Sequence, residues 1–326
     1  MIPLPFAPPR AESLLLLALA LVLNAFIAGF PAVDRWLMTP QGQLSAAVRW
    51  ADKRLNRIER LDSVRLARGA LLILILGGGV GLAALVLTIA AAHVRVAWLL
   101  SLLLVTRALL FGRLLVTMRG LLAAATAADE EVLRQVVAPL THKPVWSMDR
   151  HAVLRAGMEA LVGQVSRGLV APLFWFALFD LPGLMIWVTV ETVAVTVGHT
   201  SPRYAAFGRP ARRALLVMDW VPARLTVLFL AAGCLMVPGS RPGTALAALR
   251  TQHIQGTAAL PLAAVARALN LALAGPRKEG EMVIYEDWLG TGRARVDASD
   301  MRAVVALTAA AGLLAVCIAL LALVWA

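Results

Sequence analysis

Three apolar runs of roughly 20 residues or more, the length a bilayer crossing needs, constrain this chain before anything else does. They are Ala70–Ala92, Ala97–Thr117 and Ala303–Ala326. A backbone in hydrocarbon must satisfy its own N–H and C=O groups, which leaves helices or closed barrels. Leu14–Phe30 is a slightly shorter fourth run. Only Arg10 stands ahead of its apolar core, and Phe30-Pro31 follows where a signal peptide has small residues, so it reads as a retained first span. Composition agrees: 60% of the 326 residues are hydrophobic and 15% charged, against near half and a quarter in soluble domains. The expectation is an all-α, polytopic integral membrane protein with about four to six membrane helices. No internal repeat or low-complexity linker divides it, so residues 1–326 read as one membrane domain.

Lys and Arg outnumber Asp and Glu 31 to 19. The excess lies between the apolar runs and not on one soluble face, which fits positive loops at the cytoplasmic surface and argues against nucleic-acid binding. Residues 35–68 form the first such loop, with Arg49, Lys53, Arg54 and Arg57 beside Val48, Leu55, Ile58 and Leu61 at helical spacing. That pattern predicts an amphipathic helix on the lipid surface. Residues 120–167 form the second. There Asp129 opens a short helix, Pro139 ends it, and Asp149 leads into another helix. Residues 239–302 are a polar loop before the last span.

The second half is less regular. Leu169–Val197 is long enough to span, yet Asp180-Leu-Pro182-Gly183 sits near its middle. Pro removes a backbone donor and Gly loosens the helix. An unbroken crossing would also put Arg203, Arg209, Arg212 and Arg213 on the wrong side of the positive-inside rule. Broken or re-entrant helices are therefore expected here, and Leu225–Val237 is short for a full crossing.

Familiar catalytic signatures are missing. Gly77-Gly78-Gly79 lacks the Lys-Ser/Thr of a phosphate loop and reads as close helix packing. His93, His142, His151, His199 and His253 show no metal spacing, and Cys234 and Cys317 fall inside apolar runs.

Short polar words interrupt the apolar sequence instead. They are Gly168-Leu-Val-Ala-Pro-Leu-Phe-Trp175, Arg203-Tyr204, Phe207-Gly208, Pro222-Ala-Arg224-Leu225, Leu273-Ala-Gly275-Pro276, Gly280-Glu281 and Asp287-Trp288-Leu-Gly290. In order and spacing they resemble the "DGVVAPLFW", "RY..FG", "PARL" and "LGGPNYYGGE...PWIG" words of the CobD/CbiB type of cobalamin-biosynthesis membrane protein, the adenosylcobinamide-phosphate synthase family. The resemblance implies a multi-pass protein of the bacterial inner (plasma) membrane that joins adenosylcobyric acid to aminopropanol phosphate. It implies ATP and Mg²⁺ as cofactors, membrane lipid as surroundings, and other late cobamide-pathway proteins as partners. It suggests Glu159 and His253 as catalytic residues. It suggests Arg203, Tyr204, Gly208, Arg224, Gly275, Pro276 and Trp288 as substrate-binding residues.

The chain departs from the family where carboxylates are expected. The word "ESLAEN..DG" keeps Glu159, but Gly163, Gln164 and Arg167 replace its later Glu, Asn and Asp. Arg167 reverses the local charge at a position suited to a metal. Glu191 and Asp219 remain as acids in or beside membrane segments, where ionisable groups mark functional sites, and are the candidate metal residues. Three readings follow: an active synthase, a non-catalytic relative that holds pathway components together, and a distantly similar membrane sensor of the type tied to β-lactamase regulation. The first expects Arg203, Arg224, Glu159 and His253 to share one pocket for an anionic partner of the corrin ring.

Overall fold

A computed structural model describes residues 10–36, 39–127, 129–141, 143–199, 201–250, 257, 259–279, 282–284 and 287–325. In chain order the helices are α1 (Arg10–Ala28), α2 (Pro31–Trp36), α3 (Pro40–Leu55), α4 (Asp62–Ala91), α5 (Arg95–Ala108), α6 (Phe111–Thr126) and α7 (Glu130–Val137). Next come α8 (Arg150–Val165), α9 (Ala171–Val197), α10 (Arg209–Met218), α11 (Trp220–Gly233), α12 (Pro242–Leu246), α13 (Ala259–Ala268) and α14 (Ala298–Trp325). Four short strands lie between the last two helices: β1 (Leu273–Ala274), β2 (Arg277–Glu279), β3 (Met282–Ile284) and β4 (Trp288–Leu289). The chain is an all-α, multi-pass membrane protein. Asp62–Ala91, Arg95–Thr126, Arg150–Val197 and Ala298–Trp325 are long and apolar enough to cross a bilayer, and Arg209–Met218 with Trp220–Met236 forms a pair bent by 47°. Glu12–Ala28 is apolar but shorter than these four, so the expected first span is the weakest of the set.

Contacts divide the chain into two units. One comprises Met1–Gly112, Pro172–Trp220 and Ile318–Ala326; the other comprises Arg113–Ala171 and Val221–Cys317.

In the first unit, Val48 of α3, Leu72 of α4, Val193 and Val197 of α9, Phe207, and Leu215 of α10 form a buried cluster. Gly69 lets α4 approach it, since a Cβ there would stand 2.0 Å from the Phe207 carbonyl oxygen. The Gly77–Gly79 triplet does not pack as expected. A Cβ on any of the three meets nothing of this chain within 4 Å, whereas the nearby Gly81 sits against Ile186. The amphipathic pattern is also cut short, because α3 stops at Leu55 and Ile58 and Leu61 are exposed beyond it.

Helix breaks in this unit are closed by polar side chains. The run from Arg95 to Thr126 leaves helical geometry between α5 and α6, where Leu109 is extended. The buried Asn24 of α1 donates to the carbonyls of Thr106 (2.6 Å) and Leu109 (2.9 Å) and accepts from the Gly112 N–H (2.6 Å). One amide thus satisfies groups that neither water nor lipid would. The buried Arg107 near the end of α5 donates to Asp34 at 2.7 Å. Within α9 the break falls at Phe179 (φ −134°) and Asp180 (φ 54°), the start of the expected Asp180–Gly183 word. The Asp180 carboxylate accepts from the Leu181 N–H (2.7 Å) and the Ser13 hydroxyl (2.6 Å), so it caps the helix that restarts. Pro182 then occupies the first turn, where its missing donor costs nothing.

In the second unit, α6, α7, α8, α13 and α14 supply a core that includes Leu121, Leu133, Leu154, Leu161, Val265 and Val304. Gly157 of α8 fits between Leu121 and Val137, with 3.0 and 3.3 Å to an added Cβ. Asp129 and Asp149 cap α7 and α8 as their positions predicted. Helices α7 and α8 lie within residues 120–167, and α8 continues through a π-helical turn, Ser166–Val170, into α9. The stretch before α14 holds two antiparallel strand pairs, β1 with β4 and β2 with β3. Asp297 opens α14. Bonds from the Ser299 hydroxyl and the Asp300 N–H hold its carboxyl down at about 2.

Replacing Asn24 by Ala should lower stability by roughly 2–4 kcal/mol, because it orphans buried backbone groups at the α5–α6 break. Thermal unfolding of the detergent-solubilised protein measures this, and an unchanged melting temperature would show that the break is satisfied some other way.

Candidate functional site

The second unit holds a half-open cavity of about 220 Å³. One wall is a face of α8. Ala152, Arg155 and Glu159 follow one another at intervals of three and four, which stacks them on one side, above the cap residue Asp149. Lys143 and Ser147 enter from the segment before α8, and Ala274, Gly275 and Pro276 close the cavity from the end of β1.

Glu159 is the centre of this arrangement. One carboxylate oxygen receives the Lys143 ammonium and the other accepts the Ala274 backbone N–H at 3.0 Å. Both ionic side chains are largely buried, 20% exposed for Lys143 and 14% for Glu159. In such surroundings a charge needs a partner. The backbone that reaches Glu159 is unusual, since Ala274 (φ 59°) and Gly275 (φ 82°) are both left-handed. Gly275 has a second reason to be glycine: a Cβ would lie 2.5 Å from the Trp288 ring, which the β1–β4 register places opposite Ala274. Arg155 crosses the same ring with its guanidinium carbon 5.5 Å from the centroid, and donates to the Ala294 carbonyl at 2.5 Å. The cavity therefore offers two cations and two carboxylates, fixed by a strained corner and an aromatic platform.

A separate polar network lies in the first unit. The buried Asp52 of α3 accepts from Asn56 (2.9 Å), from Arg203 (3.0 Å) and from the Tyr204 hydroxyl (3.2 Å). Asn56 also donates to the Arg203 carbonyl at 3.1 Å, and the buried Arg65 donates to that carbonyl and to the Asn56 amide oxygen. Phe207 enters the core, and Gly208 abuts the Val197 carbonyl so closely that a Cβ would sit 1.9 Å away. The Arg203–Gly208 word thus fastens a loop to α3. Burial first, and then the Asp52 charge, push the Tyr204 phenol above its usual range.

Glu159, Gly275 and Pro276 line the cavity and Trp288 lies against Gly275, whereas in the other unit Arg203 and Tyr204 contact Asp52 and Gly208 abuts Val197. Arg224 is half-buried on α11 and does not line the cavity. His253 lies outside the described residues. Glu191 is half-buried on α9, and the buried Asp219, at the end of α10, accepts from the indole N–H of Trp187 at 3.0 Å. Among the described residues no group of three or more His, Cys, Asp or Glu side chains is placed to hold a metal ion. The two Glu159 oxygens are taken by Lys143 and the Ala274 N–H. Lys143 and Arg155 escaped the sequence reading because neither lies in a family word. The signal for Arg155 was its position one turn before Glu159.

The fold and cavity define a polytopic helical membrane protein with a small, charge-balanced site walled by α8 and the β1 corner. The chain belongs to the CobD/CbiB family: the family model described as CobD/Cbib protein matches residues 17–308. A protein named cobalamin biosynthesis protein CobD from Sinorhizobium sp is 33% identical over 303 residues, covering 90% of this chain and 93% of the relative. Its namesake from Brucella melitensis biotype 1 is 31% identical over 300 residues, covering 90% and 92%. No solved structure matches the chain.

Because Tyr204 is one of only two tyrosines, its ionisation can be followed by ultraviolet titration against Tyr204→Phe. It should titrate above the ordinary phenol. Asp52→Asn should bring it down, since removing the neighbouring negative charge favours the phenolate. A titration unmoved by that substitution would contradict the contact.

Proposed function

We propose that this protein acts in cobalamin biosynthesis at the bacterial inner membrane, joining the carboxylate of adenosylcobyric acid to the amine of aminopropanol phosphate. One observation carries the reading. Glu159, from one family word, and the Gly275-Pro276 corner, from another far along the chain, line the same cavity and are joined there by the Ala274 N–H.

Amide formation makes a C–N bond and breaks a carboxyl C–O bond, the oxygen leaving with the activating group. The attacking amine reaches neutral pH as an ammonium and must lose a proton first. A carboxylate within hydrogen-bond reach is the acceptor such a step needs, and Glu159 is that group here. Lys143 balances its charge, and the Ala274 N–H fixes its orientation. ATP, implied by the family resemblance, would activate the corrinoid carboxylate. Among the described residues no group of three or more His, Cys, Asp or Glu side chains is placed to hold Mg²⁺. Other late cobamide-pathway proteins are proposed as neighbours in the membrane.

A second reading has its own observation. Arg167 stands where the family word carries Asp, and no carboxylate cluster replaces it among the described residues. A non-catalytic relative that binds corrinoid and organises the pathway fits this. Complementation separates the two. The gene should restore cobalamin-dependent growth to a synthase-deleted bacterium fed cobyric acid. Glu159→Gln should abolish rescue while the protein still accumulates in the membrane fraction. Corrinoid binding by the purified protein without rescue would favour the scaffold.

A further inference from the structure

We infer that the α8 cavity is the seat of the small aminoalkyl phosphate alone, and that Arg155 is the residue that recognises its phosphate while Glu159 receives its ammonium. The inference rests on the reaction proposed above and assigns the two halves of that reaction to different places.

Size is the first argument. At about 220 Å³ the cavity falls below the roughly 300–1,000 Å³ of pockets that enclose drug-sized ligands. A corrin macrocycle is larger than such ligands, so it stays outside and presents only its carboxylate at the mouth. A molecule of amine, short alkyl and phosphate suits a half-open cleft of this size.

Charge geometry is the second. Arg155 and Glu159 are four residues apart on one helix face, a spacing that puts Cβ atoms about 5–6 Å apart. In aminopropanol phosphate the nitrogen and phosphorus are four bonds apart, so one ligand can address both side chains at once. The Lys143–Glu159 contact already places a primary ammonium on this carboxylate, the same chemical group that the ligand carries. Lys143 thus holds Glu159 neutralised until an amine takes its place. Arg155 is oriented by the Ala294 carbonyl and the Trp288 ring. One of its five N–H donors is spent on that carbonyl, and the planar fork suits a phosphate.

The test is equilibrium binding to the purified full-length protein in detergent with three probes: aminopropanol phosphate, aminopropanol, and propanediol phosphate. Arg155→Ala should weaken both phosphate-bearing probes about 10- to 100-fold and leave aminopropanol unchanged. Glu159→Gln should weaken both amine-bearing probes and spare propanediol phosphate. Arg155→Lys keeps the charge but not the fork and should fall between wild type and Arg155→Ala. This variant also serves if Arg155→Ala does not fold. Equal losses for all three probes, or none for any, would overturn the assignment. Wild-type complementation without aminopropanol phosphate binding would also overturn it while sparing the reaction. The crossed pattern of losses without complementation would sustain the assignment and sink the reaction.

Discussion

Apolar helices that break must have their freed backbone groups satisfied by polar side chains, and this fold is organised around that requirement. Asn24 closes the gap between α5 and α6 with three hydrogen bonds, and Asp180, held in turn by the Ser13 hydroxyl, accepts the Leu181 N–H at the break inside α9. In water such breaks would be solvated at little cost. In hydrocarbon each unmet group costs several kcal/mol. The polar residues inside the apolar runs are thus the conditions under which those runs can bend. The bends in turn let long helices do more than cross.

The long apolar runs were legible in the sequence because hydropathy averages over many residues, and so was the break at the Asp180 word, because Pro and Gly act locally. Asp129, Asp149 and Pro139 marked helix ends for the same reason. What escaped were the long-range pairings. Nothing near Asn24 announces that its partners lie more than 80 residues away. Ile58 and Leu61 continued a helical spacing, but Asn56 ended the helix because its amide is taken up by Asp52 and Arg203. The glycine triplet of α4 looked like a packing surface and faces open space within this chain, a distinction that periodicity cannot make.

The candidate site divides along the same line. Glu159, Gly275, Pro276 and Trp288 were found through family words, and they do meet. Arg203 and Tyr204 come from an equally specific word, yet here they bind a buried aspartate in the first unit. A motif records that residues matter without saying whether they touch a ligand or hold a loop. Lys143 and Arg155 show the converse. They sit on the cavity wall without belonging to any word, and only three-dimensional proximity to Glu159 gives them meaning.

Glu159 faces two ways, with one oxygen toward Lys143 and the other gripping the amide of Ala274. A carboxylate that captures a proton becomes a poorer acceptor, so its hold on that amide slackens at the same moment. Ala274 is kept left-handed at some energetic cost, and its neighbour Gly275 rests directly on the indole of Trp288. The Ala274 amide thus ties α8 to the left-handed corner at the end of β1.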